Sequence, residues 1–109
     1  MLTYSSLAMG LLTGKFSGSE EFKDVRADNA LFQGTAFQQN AAKVAELRGM
    51  ASELGVSITQ LILRATVMHP AVTCAIVGIK RPEQIEDAVG MADVSLSRQD
   101  YYRIRDALA

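Results

Sequence analysis

Ser57-Ile58-Thr59-Gln60-Leu61-Ile62-Leu63-Arg64-Ala65-Thr66-Val67-Met68-His69-Pro70 runs directly into Ala71-Val72-Thr73-Cys74-Ala75-Ile76-Val77-Gly78, and the join of these two unlike patterns decides the fold class. Ser57 with Gln60 three residues on is a capping box, so a helix is expected over 58–68. Leu61, Ile62, Leu63, Ala65 and Val67 point apolar atoms in nearly all directions around that helix, which therefore needs cover on more than one side. Pro70 disfavours helical geometry at His69 and ends it. Val72 to Val77 is then an uncharged run rich in β-branched residues, which suits a strand buried on both faces, the habit of parallel sheets. Gly78 closes it. A helix feeding such a strand belongs to an α/β architecture.

The same logic extends outward. Upstream, Val44, Leu47, Ala51 and Leu54 recur at intervals of three and four with Glu46, Arg48 and Glu53 opposite, a helix beginning near Ala41 and stopped by Gly55 in a left-handed turn. Downstream, Pro82 opens a third helix with Glu83 at its positive end and Ile85, Ala88 and Val89 on the inner face, ending near Gly90. Ser97 with Asp100 opens a last helix through Ile104 and Leu108. Met1 to Tyr4 is β-compatible, and Ser5 to Lys15 mixes hydroxyls, glycines and large apolar groups, as in a partly covered loop. Phe16 to Asn40 is polar and irregular, with short apolar spots at Leu31, Phe32 and Phe37, and is expected to be a long surface loop with one helical turn. The order is strand, loop, two helices, strand, two helices; two strands are too few for a parallel sheet.

Composition narrows the function. Eleven Lys plus Arg against 12 Asp plus Glu in 109 residues leave a net charge of −1, without the surplus that draws a chain to nucleic acid or an anionic membrane. One cysteine, Cys74, and one histidine, His69, allow no internal disulfide and no structural zinc site. No stretch approaches the roughly 18 apolar residues of a membrane span, and the start carries no basic leader, so a cytoplasmic location is expected. His69 reads as a structural residue at a helix end, Cys74 as a core thiol, and Met9, Met50, Met68 and Met91 as gap fillers.

Two segments carry a family resemblance. Tyr4-Ser5-Ser6-Leu7-Ala8-Met9-Gly10-Leu11-Leu12-Thr13-Gly14-Lys15 resembles the Y-S-P-L-x-x-G-x-L-T-G-K segment of aldo-keto reductases. Ala75-Ile76-Val77-Gly78-Ile79-Lys80-Arg81-Pro82-Glu83-Gln84-Ile85-Glu86-Asp87 resembles that family's second cofactor loop, I-P-G-x-R-x-P-E-Q-x-x-E. Between them, Leu61 to Ala65 and His69 to Val72 look like the family's L-A-L-R-W helix and the H-P-x-V that follows it. The resemblance runs in order over nearly the whole chain and covers the closing part of the family's (β/α)₈ barrel, its seventh and eighth strands with their helices.

What the resemblance implies is NADP(H) binding. Tyr4 takes the place of the tyrosine that stacks on the nicotinamide; Ser5, Leu7 and Gly10 belong to the loop around the pyrophosphate, where small residues let backbone N–H groups approach anionic oxygens. Gly78 ends the eighth strand, Lys80 and Arg81 precede a helix N-terminus suited to the adenosine 2′-phosphate, and Gln84 matches the next cofactor contact. Ser6 and Val77 stand where the family has proline, Asp87 where it has Glu, and Ala88 where it has an Asn at the adenine end.

The resemblance also implies what to expect of the chain by itself. The family's catalytic Asp, Tyr, Lys and His lie on earlier strands, Tyr4 is not the catalytic tyrosine, and the chain alone is expected to reduce nothing. A barrel of eight strands needs about 250 residues, so the isolated chain is expected to be an incomplete, predominantly helical domain. Its strand edges and its all-round apolar helix would be exposed, which favours self-association or pairing with the remaining barrel segment. Two other classes stay open. One is a catalytically inactive nucleotide-binding or protein-interaction subunit. The other is a helix-turn-helix DNA-binding module, since Ala51, Gly55 and Leu61 have that spacing, although Arg64 is the single cation on the would-be reading helix.

Overall fold

The computed structural model describes residues 2–3, 29–79 and 81–108. Four helices account for most of them: α1 (Gly34–Leu54), α2 (Ile58–Met68), α3 (Pro82–Val89) and α4 (Arg98–Leu108). Two short strands, β1 (Leu2–Thr3) and β2 (Cys74–Ala75), pair in parallel with Leu2 opposite Cys74 and Thr3 opposite Ala75. The element order agrees with the sequence reading, with 3₁₀ turns added at Ala30–Phe32 and Gly90–Asp93.

α1 starts seven residues before the expected Ala41, so the end of the expected long loop is helical. The cause is Phe37, which continues the stripe Ala41, Val44, Leu47 and Ala51 one turn back and is buried with them. Phe32 packs on it from the 3₁₀ turn, the ring centroids 5.6 Å apart, and the Asn29 side chain accepts from the Leu31 N–H at 2.9 Å to start that turn. Residues 16–28 of the expected loop lie outside the described part. At the far end Gly55 adopts φ 69, its N–H donating to the Ser52 carbonyl while the Val56 N–H donates to that of Ala51. This is the left-handed stop the sequence called for.

α2 has the expected bounds. The Gln60 N–H donates to Ser57 Oγ at 3.1 Å and the Ser57 N–H to Gln60 Oε1 at 3.2 Å, so both halves of the capping box form. Leu61, Ile62 and Leu63 are all but inaccessible. Successive residues turn by about 100°, so three buried in a row mean cover around more than half the circumference. That cover comes from α1 and α4 together with α3, β2 and the Gly90–Asp93 turn. The expectation that this helix would be exposed in an isolated chain is thus corrected: the other helices enclose it. The main core joins Phe37, Val44, Leu47 and Ala51 of α1 to Ile58, Leu61 and Ile62 of α2 and Ile104 of α4. A helix so enclosed does not offer the free face that a DNA-reading helix uses.

The strand differs from expectation. Of Val72–Val77 only Cys74 and Ala75 form a ladder, Cys74 is exposed, and Ile76 is 52% accessible. Cys74 is therefore not a core thiol. β2 has β1 as its one described neighbour, and burial on both faces is a property of the whole sheet, not of the strand's own sequence. α3 begins at Pro82 and ends before Gly90 as expected, but of its supposed inner face only Ala88 is buried, Ile85 being 50% and Val89 66% accessible. A tie to α2 fixes this orientation: Gln60 Nε2 donates to the Asp87 carbonyl at 2.9 Å. A Cβ on Gly90 would run into that same carboxamide. Gln60→Ala, which removes this tie together with half of the Ser57 capping box, is expected to cost about 1–2 kcal/mol, read as a lowered denaturant midpoint at unchanged slope.

α4 is capped as expected, the Asp100 N–H donating to Ser97 Oγ at 3.0 Å and the Ser97 N–H to Asp100 Oδ2 at 3.3 Å. Ile104 fixes it to the core, and Tyr101 packs beside it. The Arg103–Glu53 ion pair between α4 and α1, at 3.9 Å and well exposed, adds little. No described helix is long and apolar enough to cross a membrane.

Candidate functional site

The chain leaves β2 through Ile76-Val77-Gly78-Ile79 and enters α3 at Arg81-Pro82. A loop that joins the carboxyl end of a parallel strand to the amino end of a helix is where α/β proteins gather their ligand contacts, because the helix presents unpaired N–H groups and the positive end of its dipole there. Pro82 at the first helical position removes one N–H that would have no intrahelical acceptor, and its fixed φ suits the helix. Arg81 is the N-cap. Its backbone N–H donates to Gln84 Oε1 at 3.1 Å, while the Gln84 N–H donates to the Arg81 carbonyl at 3.1 Å. The reciprocal pair locks the backbone just before the helix and leaves the Arg81 side chain exposed at its amino end.

Gly78 sits upstream in this loop, exposed. It is not one of the glycines with positive φ, and a Cβ built on it meets nothing within 4 Å. Neither its backbone conformation nor the packing of the described residues demands a glycine, and none of those residues obstructs its backbone. Gly78→Ala is accordingly expected to leave the thermal midpoint unchanged or raise it, stabilising by up to about 1 kcal/mol through the unfolded state.

The donor set suits an anionic group: an exposed guanidinium, a helix amino end and an unobstructed glycine backbone are the parts from which phosphate sites are built. Glu83, exposed in the first turn of α3, is the one charge there that opposes an anion. Of the residues that the sequence reading assigned to a cofactor, the structure brings Gly78, Arg81 and Gln84 together on this loop and helix start. Tyr4, Ser5, Leu7, Gly10 and Lys80 lie outside the described residues. Among the described residues no cluster of His, Cys, Asp or Glu could hold a metal ion.

A model of the aldo/keto reductase family matches residues 1–109. The chain belongs to the aldo/keto reductase family. Among relatives of this aldo/keto reductase chain, an uncharacterized oxidoreductase of Mycobacterium tuberculosis is 35% identical over 98% of the chain and 33% of the relative. An aldo-keto reductase of Bacillus subtilis is 30% identical over 98% of the chain and 33% of that protein. A probable voltage-gated potassium channel subunit beta of Arabidopsis thaliana is 32% identical over 86% of the chain and 30% of its own length. Among solved structures, the glycerol dehydrogenase of Gluconobacter oxydans superposes with a TM-score of 0.84 and 29% identity over 99% of the chain and 33% of that enzyme. The chain thus spans about a third of the length of the proteins it matches, and the described residues form two strands and four helices without closing a barrel.

Sequence patterning assigned no function to α4. Yet Arg98, Tyr101, Tyr102 and Arg105 fall at i, i+3, i+4 and i+7, a spacing that puts them on one helix face.

Proposed function

We propose that this chain is the C-terminal, cofactor-binding part of an NADP(H)-dependent aldo-keto reductase, and that it supplies cofactor loops without the catalytic residues. The observation that carries this is the loop from Gly78 to Gln84: an open glycine and an exposed arginine, locked at a helix start behind a parallel strand, in a chain that matches the family along its whole length. When bound, the cofactor would supply the hydride for carbonyl reduction. Arg81, with Lys80 beside it in sequence, holds the 2′-phosphate by charge-assisted hydrogen bonds at the amino end of α3. Gln84 has two tasks, fixing the Arg81 backbone and contacting the adenosine end. Tyr4 offers a flat ring to the nicotinamide, and Ser5, Leu7 and Gly10 offer small side chains and backbone N–H groups to the pyrophosphate. The family generally uses NAD(P)H, and the preference for the phosphorylated form rests here on Lys80 and Arg81.

The exposed side chains of Leu2, Cys74 and Ile76, with Ile85 and Val89 on α3, form the surface on which the rest of a barrel packs, or through which the chain self-associates in the cytoplasm. One observation favours a second reading. The helices bury a shared core among themselves, as a self-standing subunit requires that binds nucleotide or another protein and catalyses nothing.

A titration of the 109-residue chain with NADPH, following nicotinamide fluorescence with the mass in solution measured alongside, tests the proposal. Saturable binding without carbonyl turnover is expected. Turnover by the isolated chain would overturn the assignment of catalysis to residues outside it. A flat titration both by the chain and by the chain joined to the preceding part of a related barrel would overturn the cofactor assignment.

A further inference from the structure

At the other end of β2 from Gly78 and Arg81, the close of α2 and the first turns of α4 border an open cleft of about 600 Å³. Most of the residues that line it are exposed, so it covers a small ligand from one side and does not enclose it. Met68 and His69 line one side, and Arg98, Tyr101, Tyr102 and Arg105 the other. Among the described residues, its lining includes two arginines and a histidine but no Asp or Glu.

The charges around it are unequally engaged. Arg105 lies over the Tyr102 ring, 4.7 Å from the centroid, and pairs with Asp106 at 3.2 Å, so its charge is partly met and the Tyr102 ring is held in place. The Tyr101 and Tyr102 rings meet edge to face at 5.5 Å. Asp100, two residues from Arg98 on α4, accepts from the Ser97 N–H and faces Arg103 at 3.9 Å. Arg98 has no ion pair among the described residues, although Arg103 and Arg105 both have one. His69 accepts the Ala71 N–H at Nδ1, at 3.1 Å. This bond fixes the ring and leaves the proton of the neutral imidazole on Nε2 as a donor.

We propose that this cleft binds a small aryl anion: an aromatic ring laid against the tyrosine pair, with its carboxylate or phosphate held by Arg98 and by His69 Nε2. A guanidinium without an ion pair, an oriented imidazole N–H and two rings in contact, with no carboxylate among the described lining residues, are complementary to a planar anion: the rings take its apolar part and the two donors its charge. The site is separate from the Gly78–Gln84 loop and does not depend on the cofactor reading.

The test uses phenyl phosphate, with inorganic phosphate as the ring-free comparison, titrated into the isotope-labelled chain and followed by NMR. Shifts at His69, Tyr101 and Tyr102 are expected to saturate with phenyl phosphate, and inorganic phosphate is expected to bind at least several-fold more weakly. Arg98→Ala is expected to weaken phenyl phosphate roughly tenfold or more. Arg48→Ala, which removes an exposed cation on α1 outside the cleft, should change nothing. Equal weakening by Arg98→Ala and Arg48→Ala, equal binding of inorganic phosphate, or shifts centred on Arg81 in place of the cleft would each overturn the proposal.

Discussion

Leu61→Ala is expected to lower the unfolding free energy by about 2–5 kcal/mol, the range for a fully buried leucine whose surroundings cannot collapse into the space it leaves. Leu61 is completely inaccessible and sits in the cluster that joins α1, α2 and α4. α1 presses on α2 from one side while α3 and the Gly90–Asp93 turn hold it on another, so a shift of α2 to fill the void would disturb several contacts together. Domains of this size have total stabilities of only about 5–15 kcal/mol, so the loss should appear as a large drop in the urea midpoint at unchanged slope. A change below about 1 kcal/mol would mean that α2 is not the enclosed centre described here.

The second large effect concerns ligand choice. In the chain joined to the preceding part of a related barrel, Lys80→Ala combined with Arg81→Ala is expected to weaken NADPH at least tenfold while changing NADH by less than about threefold. The two cofactors differ only in the 2′-phosphate, and each charge-assisted hydrogen bond to that group is worth about 1.5–3 kcal/mol. Paired dissociation constants from nicotinamide fluorescence check it. Equal losses for both cofactors would refute the phosphate assignment. Arg81→Ala keeps the backbone bonds to Gln84, so a collapse of α3 is not expected to confuse the result.

Most of the helical architecture was legible because its signals are local. Ser57 with Gln60 and Ser97 with Asp100 each form the reciprocal cap that their spacing announces, and Gly55 takes the left-handed conformation expected of a terminal glycine. The start of α1 is harder to read: Phe37 keeps the four-residue spacing to Ala41, but Gly34 and the polar residues around it suit a loop as well, and its burial shows that the stripe continues. Val72–Val77 departs from its sequence expectation for a different reason. Its composition suits a strand covered on both faces, but the cover must come from other strands and helices, and here Cys74 and Ile76 remain exposed. The same non-local cause leaves Ile85 and Val89 at the surface of α3.

The candidate site shows the same division. Pro82 with Glu83 behind it is enough to place the helix start, and the structure adds that the Gln84 side chain, read from the sequence only as a cofactor contact, holds the Arg81 backbone. The openness of Gly78 could not be read from sequence, since a glycine may serve a turn, a close packing or a ligand, and only the space around it decides. The face shared by Arg98, Tyr102 and Arg105 was present as a spacing, yet its meaning depended on the end of α2 arriving opposite it.

The central claim is that the segment from Gly78 to Gln84 receives the cofactor, and backbone amide shifts of the isotope-labelled chain during NADPH titration test it most directly. The account predicts that the amides of Gly78, Arg81 and Gln84 move together and saturate, while those of Leu47 and Leu61 in the core stay in place. Saturable binding with these three amides unmoved would contradict it.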